Sequence, residues 1–509
     1  MEHSAFDSDS YFTKTKIFGL VLGIVLFLVF AFNLPGFNLT KEAAATAGVV
    51  LMMASFWISQ CLPIPVTSLI PIVLFPILGI AKSATTVKYY ADNNIYLFLG
   101  GFIIALAIEK WNLHKRIALS ITALLGSSPG KIVMGFMLGT GFMSMWISNT
   151  ATAMIMLPIG LAVISEMGKT SEENRHFPLV LMLAIAYAAS IGGLATPIGT
   201  PPNILFLGVF EKDFPNAPII SFFNWIVAFL PLVVILLPLT WFIIAKVVFP
   251  IGKTAPLSRL IIKGELKKLG RMDSAEKRVL VIFVITALLW VFRNDINTGL
   301  FTIPGWSNLL PNPGFIHDAT VAIFMAIILF IIPAGKSHPR QFLMDWHTAV
   351  KLPWGILLLF GGGFAIAGGF SASGLDKTIG MALRPYLVFH PIIIVLMVCL
   401  LLTFLTELTS NTATAAALLP IMKGAAVALN LNPLLLMIPA TISASMAFML
   451  PVATPPNAIV FSSGRIKMSE MARSGLVLNL VIAVIVACYV YYYVLPLWGY
   501  SAALPAWVN

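Results

Sequence analysis

Two copies of one polar triplet are the residues in this chain best placed to do chemistry. Ser148-Asn149-Thr150 and Ser410-Asn411-Thr412 each sit inside a long apolar run, and each opens the text Ser-Asn-Thr-Ala-Thr-Ala with a Leu-Pro downstream. The copies are displaced by 410 − 148 = 262 positions. Amides and hydroxyls in hydrocarbon are costly unless something binds them or a neighbouring helix satisfies them. One triplet alone would be adequately explained as helix-packing glue; two at a fixed offset point to binding. Asn149, Thr150, Asn411 and Thr412 supply neutral donors suited to carboxylate oxygens. Ser144, Ser148 and Thr406, with nearby carbonyls, offer hard oxygen ligands suited to a small cation such as sodium.

A second break follows each triplet. The first reads Ala195-Thr-Pro-Ile-Gly-Thr-Pro-Pro-Asn-Ile204 and the second Leu450-Pro-Val-Ala-Thr-Pro-Pro-Asn-Ala458, with Thr200 and Thr454 in correspondence at 454 − 200 = 254. Paired prolines remove backbone donors and interrupt a helix. Asn203 and Asn457 are expected to cap the helix that resumes. A broken helix presents amides to anions at one end and carbonyls to cations at the other. No Lys or Arg lies in the four breaks. A bound anion would therefore lack a permanent countercharge, so a co-bound cation would help to hold it, and a neutral site also releases its ligand readily. Glu407, three residues before Ser410, is an intramembrane carboxylate with Met145 at the matching position of the first copy. Coupling to a proton or cation and a local polar contact are both open to it, the second being favoured. His114, in the basic loop after the fourth span, reads as solvated, and Trp146 as packing.

These breaks must be positioned by spanning elements. Hydrophobic residues make up 59% of 509 positions and charged ones 10%, which describes an all-α polytopic membrane protein. The net charge of +11 then reflects basic cytoplasmic loops rather than a nucleic-acid partner. Cys61, Cys399 and Cys488 show neither metal-ligand spacing nor a disulfide framework. Apolar runs predict spans near 17–34, 43–62, 64–80, 95–110, 178–210, 222–249, 277–293, 317–333, 352–372, 433–462 and 475–497. The triplet segments 131–165 and 387–428 are longer than the ~20 residues one span needs and break near the middle. They read as re-entrant hairpins, or alternatively as pairs of ordinary spans, without changing the parity of the eleven others.

Lys110, Lys115, Arg116, Lys169, Arg175, the basic run 253–278, Lys336, Arg340, Lys351, Arg465, Lys467 and Arg473 fall in one set of loops. The other set is sparse, with Lys41, Lys82, Lys88, Lys212, Arg293, Lys377 and Arg384. The positive-inside rule places the first set and the N-terminus in the cytoplasm, and the C-terminus outside. Leu257, Leu260, Ile261, Ile262, Leu266 and Leu269 make the basic run amphipathic: it either lies along the cytoplasmic membrane surface or is a solvated loop.

The 262-residue offset recurs. Leu97-Phe-Leu-Gly-Gly-Phe-Ile-Ile-Ala105 matches Leu359-Phe-Gly-Gly-Gly-Phe-Ala-Ile-Ala367, and Leu113-His-Lys-Arg-Ile117 matches Leu375-Asp-Lys-Thr-Ile379. The chain divides into an N-terminus and first span (1–42), a first repeat with its hairpin (43–250), a basic cytoplasmic loop (251–276) and a second repeat with its hairpin (277–509). Five crossings separate the copies, and an odd number inverts the second, as in many secondary transporters.

The paired triplets, the paired Thr-Pro breaks and the stretch Ala444-Ser-Met-Ala-Phe-Met-Leu-Pro-Val-Ala-Thr-Pro-Pro-Asn-Ala-Ile-Val460 resemble the divalent anion/sodium symporter family, the INDY-type carriers of dicarboxylates, citrate and sulfate. The resemblance runs from about Ile17 to near the end of the chain. It implies a homodimer whose protomers each have a scaffold part and a transport part that moves as an elevator. It implies one sodium site at Ser144, Ser148, Asn149 and the Gly199 carbonyl, and another at Thr406, Thr409, Asn411 and the Ala453 carbonyl. Substrate carboxylates would meet Asn149, Thr150, Thr200, Asn411, Thr412, Thr454 and Pro455. Two triplets look more like the carboxylate branch than the sulfate branch; a sulfate or citrate carrier is the less favoured alternative, and some relatives exchange dicarboxylates without sodium.

The leading expectation is therefore a secondary carrier of succinate-type dicarboxylates in a cell membrane, by sodium symport or by exchange. Sodium ions are the only cofactor expected, with no organic one. A channel fits two closed hairpins less well than alternating access does. A membrane enzyme would need a His/Asp/Glu/Cys constellation within the spans, and a primary pump a Gly-Lys nucleotide loop; neither is found in the sequence.

Overall fold

The computed structural model describes residues 13–34, 36, 39–124, 128–166, 175–252, 264–297, 301–375, 378–379 and 389–508. Lys169, Lys377 and Arg384, the segment 253–263 of the basic run and the N-terminal tail 1–12 lie outside the described residues.

Helix occupies all eleven expected spans and both hairpins. The first span, Lys14–Ala31, is the most exposed along its length, as a lipid-facing helix should be. The first broken helix, Phe177–Gly192, is apolar all round and buried at nearly every residue, which places it at the centre. Each broken helix also interlocks with the other repeat. Pro455–Phe461 packs on Asn149–Glu166 and Phe177–Gly192, while Pro201–Asp213 packs on Asn411–Ala428 and Leu434–Ala444. Around this body stand Lys41–Ser59, Asn93–Lys110, Asp318–Ile331 and Trp354–Ser373. Asn93–Lys110 and Asp318–Ile331 approach closely at Gly100, where an added Cβ would lie 2.7 Å from the Ala322 carbonyl oxygen.

Three expectations are corrected. The run 64–80 is two short helices, Ile64–Thr67 and Ile70–Ile77, because Pro71 has no N–H to continue the ladder. The basic stretch after the fourth span contains an amphipathic helix, Leu113–Leu124. On it His114 is not solvated but buried, with Nδ1 3.1 Å from the Ile108 carbonyl, and burial holds its imidazole below the usual range. In the 294–316 loop, Ile296–Asn297 and Thr302–Ile303 form a short antiparallel ribbon. Trp146 packs against Phe283, with ring centroids 4.8 Å apart.

Candidate substrate and cation site

The hairpins are built alike. Pro129–Ser144 turns through 145–148 into Asn149–Glu166, and Pro391–Thr406 turns through 407–410 into Asn411–Ala428. Asn149 and Asn411 thus each open a helix, where the first amides have no partner within the helix. The Ser148 hydroxyl accepts one of them, from Ala151 at 3.3 Å. Ser410 occupies the same capping position in the second hairpin, in extended conformation.

The broken helices also match in detail. Phe177–Gly192 ends in a 3-10 turn, Gly193–Ala195, and the helix resumes at Pro201; Leu434–Ala444 ends and the helix resumes at Pro455. The residue before each resumption has nearly the same backbone, Thr200 at φ −143° and ψ 141° and Thr454 at φ −141° and ψ 148°. These threonines hold the cap position, so the expected capping by Asn203 and Asn457 is corrected. Asn457 instead donates its own backbone N–H to the Thr454 hydroxyl at 3.2 Å. Both asparagines lie inside the resumed helix, and each side-chain amide ties down two carbonyls of the unwound turn. Asn203 Nδ2 donates to Gly193 at 3.1 Å and Thr196 at 2.8 Å; Asn457 Nδ2 donates to Ala447 at 3.1 Å and Leu450 at 3.0 Å.

Each hairpin is tied to its break. In the first repeat the Thr196 hydroxyl donates to the Met145 carbonyl at 2.5 Å. In the second, Glu407 does this work with its side chain. It accepts from the backbone amides of Phe448 at 2.7 Å, Met449 at 2.9 Å and Leu450 at 3.0 Å, and from Asn479 Nδ2 at 2.7 Å. Four donors occupy this buried carboxylate, which is absent from the cavity wall described below.

Oxygen atoms then converge in pairs. Ser144 Oγ lies 2.6 Å from Asn149 Oδ1 and 2.6 Å from the Ala189 carbonyl oxygen. Thr406 Oγ1 lies 2.8 Å from Asn411 Oδ1 and 2.8 Å from the Ala444 carbonyl oxygen. A hydroxyl has one proton, so at each place it can donate to only one of the two acceptors. Beside the first cluster Gly193 leaves a cradle: an added Cβ would lie 2.8 Å from Asn149 Oδ1 and 3.0 Å from the Gly199 carbonyl oxygen. Uncharged oxygens gathered with too few protons suit a small hard cation. At the second cluster, Ala447 stands where Gly193 stands in the first, and the Thr409 hydroxyl is engaged by Leu405 at 2.9 Å and Thr414 at 2.5 Å.

One cavity of about 630 Å³ lies between the hairpin tips and the breaks. Its wall includes Ser148, Asn149, Thr150, Gly199, Thr200, Thr409, Asn411, Thr412, Ala453, Thr454 and Pro455. Ser144 and Thr406 stand fully buried behind Asn149 and Asn411 and reach the wall through them. Among the described residues, no charged side chain lines the cavity. The facing wall comes from the surrounding helices and is mostly apolar, with Ile64, Phe98, Phe102, Ile356 and Leu359; Gln60 is its polar exception. Sequence reasoning missed a buried ion pair, Lys423 Nζ to Asp213 Oδ2 at 3.2 Å, signalled only by a lone lysine within an apolar hairpin arm.

The family profile described as sodium:sulfate symporter transmembrane region matches residues 14–499. A sodium-dependent dicarboxylate transporter of Staphylococcus saprophyticus is 42% identical over 497 residues, 96% of this chain and 93% of that protein. Its namesake in Staphylococcus aureus strain NCTC 8325 is 44% identical over 488 residues, covering 94% and 92%. Among solved structures, the Alcanivorax borkumensis YdaH transporter superposes with a TM-score of 0.56 at 14% identity, covering 80% of this chain and 88% of that one. Neisseria gonorrhoeae MtrF superposes with a TM-score of 0.57 at 13% identity, covering 95% and 96%. At such identities the likeness is one of fold.

Proposed function

Since the chain belongs to the sodium:sulfate symporter family, we propose that it carries dicarboxylates of the succinate type across the membrane together with sodium. The observation that carries this reading is the duplicated neutral site: two hydroxyl–amide oxygen clusters flank one uncharged cavity. Thr150 and Thr412 and the side-chain amides of Asn149 and Asn411 bind and orient the two carboxylates. The amide oxygens of the same asparagines face Ser144 and Thr406, so each asparagine links the substrate to a cation cluster. Ser144, Asn149 and the Gly199 carbonyl would hold one sodium; Thr406, Asn411 and the Ala453 carbonyl would hold the other. Sodium supplies the positive charge that the cavity wall lacks.

Movement is read as an elevator. All the polar groups assigned to substrate come from the hairpins and broken helices, while the facing wall is almost wholly apolar. A body carrying its whole polar site can slide past such a wall without breaking hydrogen bonds to substrate. The frame would then mediate a homodimer in the cell membrane, with the N-terminus cytoplasmic.

Uptake of labelled succinate into proteoliposomes tests the function. An inward sodium gradient should drive accumulation into empty vesicles. Uptake that ignores sodium and requires internal dicarboxylate would replace symport by exchange.

A further inference from the structure

At the far end of the body from the cavity mouth, three consecutive residues close the helix Pro201–Asp213: Glu211, Lys212 and Asp213. Successive helical residues point about 100° apart, so the three fan out, and each meets the frame at a different place. Glu211 Oε2 accepts from Asn94 Nδ2 at 2.8 Å, and Oε1 lies 3.7 Å from His317 Nε2. Lys212 donates to the Phe364 carbonyl at 3.2 Å and rests 3.1 Å above the Tyr89 ring. Asp213 Oδ1 accepts from Ser371 Oγ at 3.4 Å, and the same Ser371 hydroxyl accepts from Lys423 Nζ at 2.7 Å. Room for this comes from Gly368, where an added Cβ would lie 2.3 Å from the Tyr89 hydroxyl and 2.6 Å from Lys212 Nζ.

We propose that Glu211-Lys212-Asp213 is a reversible clamp that seals the end opposite the cavity mouth and sets how often the cavity faces each side. This rests on the division into body and frame given above. Buried charges are costly to keep unless they are paired. Here the costly pair, Asp213 with Lys423, belongs wholly to the body and would travel with it intact. The frame contributes Asn94, Ser371, the Tyr89 ring and the Phe364 carbonyl, and beside them two groups that can carry charge: His317, and Asp92 at the cap of Asn93–Lys110, which faces both Glu211 and Lys212. Asp92 keeps its hydrogen bonds from Asn94 and His317 keeps the neighbouring Asp318 within the frame, so releasing the clamp leaves these groups with partners of their own, as a contact that forms and breaks in every cycle requires. Its place also fits the state seen. Gly355 lines the cavity near the start of Trp354–Ser373, and Ser371 stands near the other end, about 24 Å along that helix. Leu408 and Val452 on the cavity wall are exposed while the clamp contacts are made, so the clamp is closed with the cavity displaced toward the opposite end.

The test needs neither substrate nor sodium. Val452→Cys, in a chain whose three native cysteines are replaced by alanine, is labelled with a membrane-impermeant maleimide from each side in vesicles of the two orientations. Asn94→Ala with Ser371→Ala, and separately Lys212→Met, should shift the ratio of labelling rates toward the clamp side by about tenfold, equivalent to about 1.4 kcal/mol. Ser371→Ala alone, which deletes one hydroxyl, should shift the ratio in the same direction and keeps the test open if the larger changes disturb insertion. A ratio within about twofold of wild type in every inserted variant overturns the clamp. A shifted ratio in protein that takes up no succinate supports the clamp and overturns only the substrate assignment.

Discussion

Asn149 and Asn411 each have two ends with different work. The oxygen belongs to a cluster with Ser144 or Thr406, and the amide is left for the cavity. Removing either side chain should therefore weaken both ligands. Asn149→Ala and Asn411→Ala should abolish transport in folded protein, since each hydrogen bond to a charged group is worth about 1.5–3 kcal/mol. Calorimetric succinate affinity close to wild type in both would exclude the assignment. Ser144 and Thr406 are fully buried and off the cavity wall, so their effect on substrate can only be indirect. Ser144→Ala and Thr406→Ala should raise the sodium concentration for half-maximal uptake, with substrate affinity at saturating sodium nearly unchanged. Sodium titrations of initial rate would show this, and unaltered sodium dependence in both would rule out the clusters as cation sites.

The unit of construction at the scale of elements is a hairpin tied to a broken helix. The first tie is a threonine hydroxyl on a carbonyl; the second is Glu407 on three consecutive amides and Asn479. Glu407→Gln turns one acceptor into a donor facing donors and leaves buried N–H groups unpaired, at a cost of about 1–3 kcal/mol each. Thermal unfolding in detergent should shift to lower temperature, while the sodium dependence of the remaining folded protein stays as in wild type. A changed sodium dependence with unchanged melting would instead make Glu407 part of the coupling machinery.

At the scale of the whole molecule, the cavity meets one loop of the basic set at the start of Trp354–Ser373. Gln60 and Pro353 line the cavity, and Pro353 closely follows Lys351 in a loop of the basic set. On the positive-inside assignment that side is the cytoplasm. Single cysteines near Lys268 should react with impermeant reagents only from the cytoplasm, and those near Asn308 only from outside. Reaction of both from one side would overturn the eleven-span arrangement.

The sequence by itself determined the class and pointed to a repeat and to most of the polar residues that line the cavity, because each leaves a one-dimensional trace. Unbroken hydrophobicity marks a span, a constant offset marks duplication, and Ser-Asn-Thr or Pro-Pro in hydrocarbon marks a break that needs a partner. What depends on distance between remote segments left no such trace. Asn203 and Asn457 read as caps, because the carbonyls they bind lie 10 and 7 residues upstream in a turn with no periodicity. His114 read as a loop residue because its burial comes from packing around an interfacial helix. Lys212 reads as one sparse loop charge, and nothing in one dimension marks a partner for Lys423. Only the tertiary structure set Glu211, Lys212 and Asp213 against the frame helices Asn93–Lys110 and Trp354–Ser373 and paired Asp213 with Lys423, because a buried charge is made tolerable by neighbours that the chain brings together from more than 100 positions away.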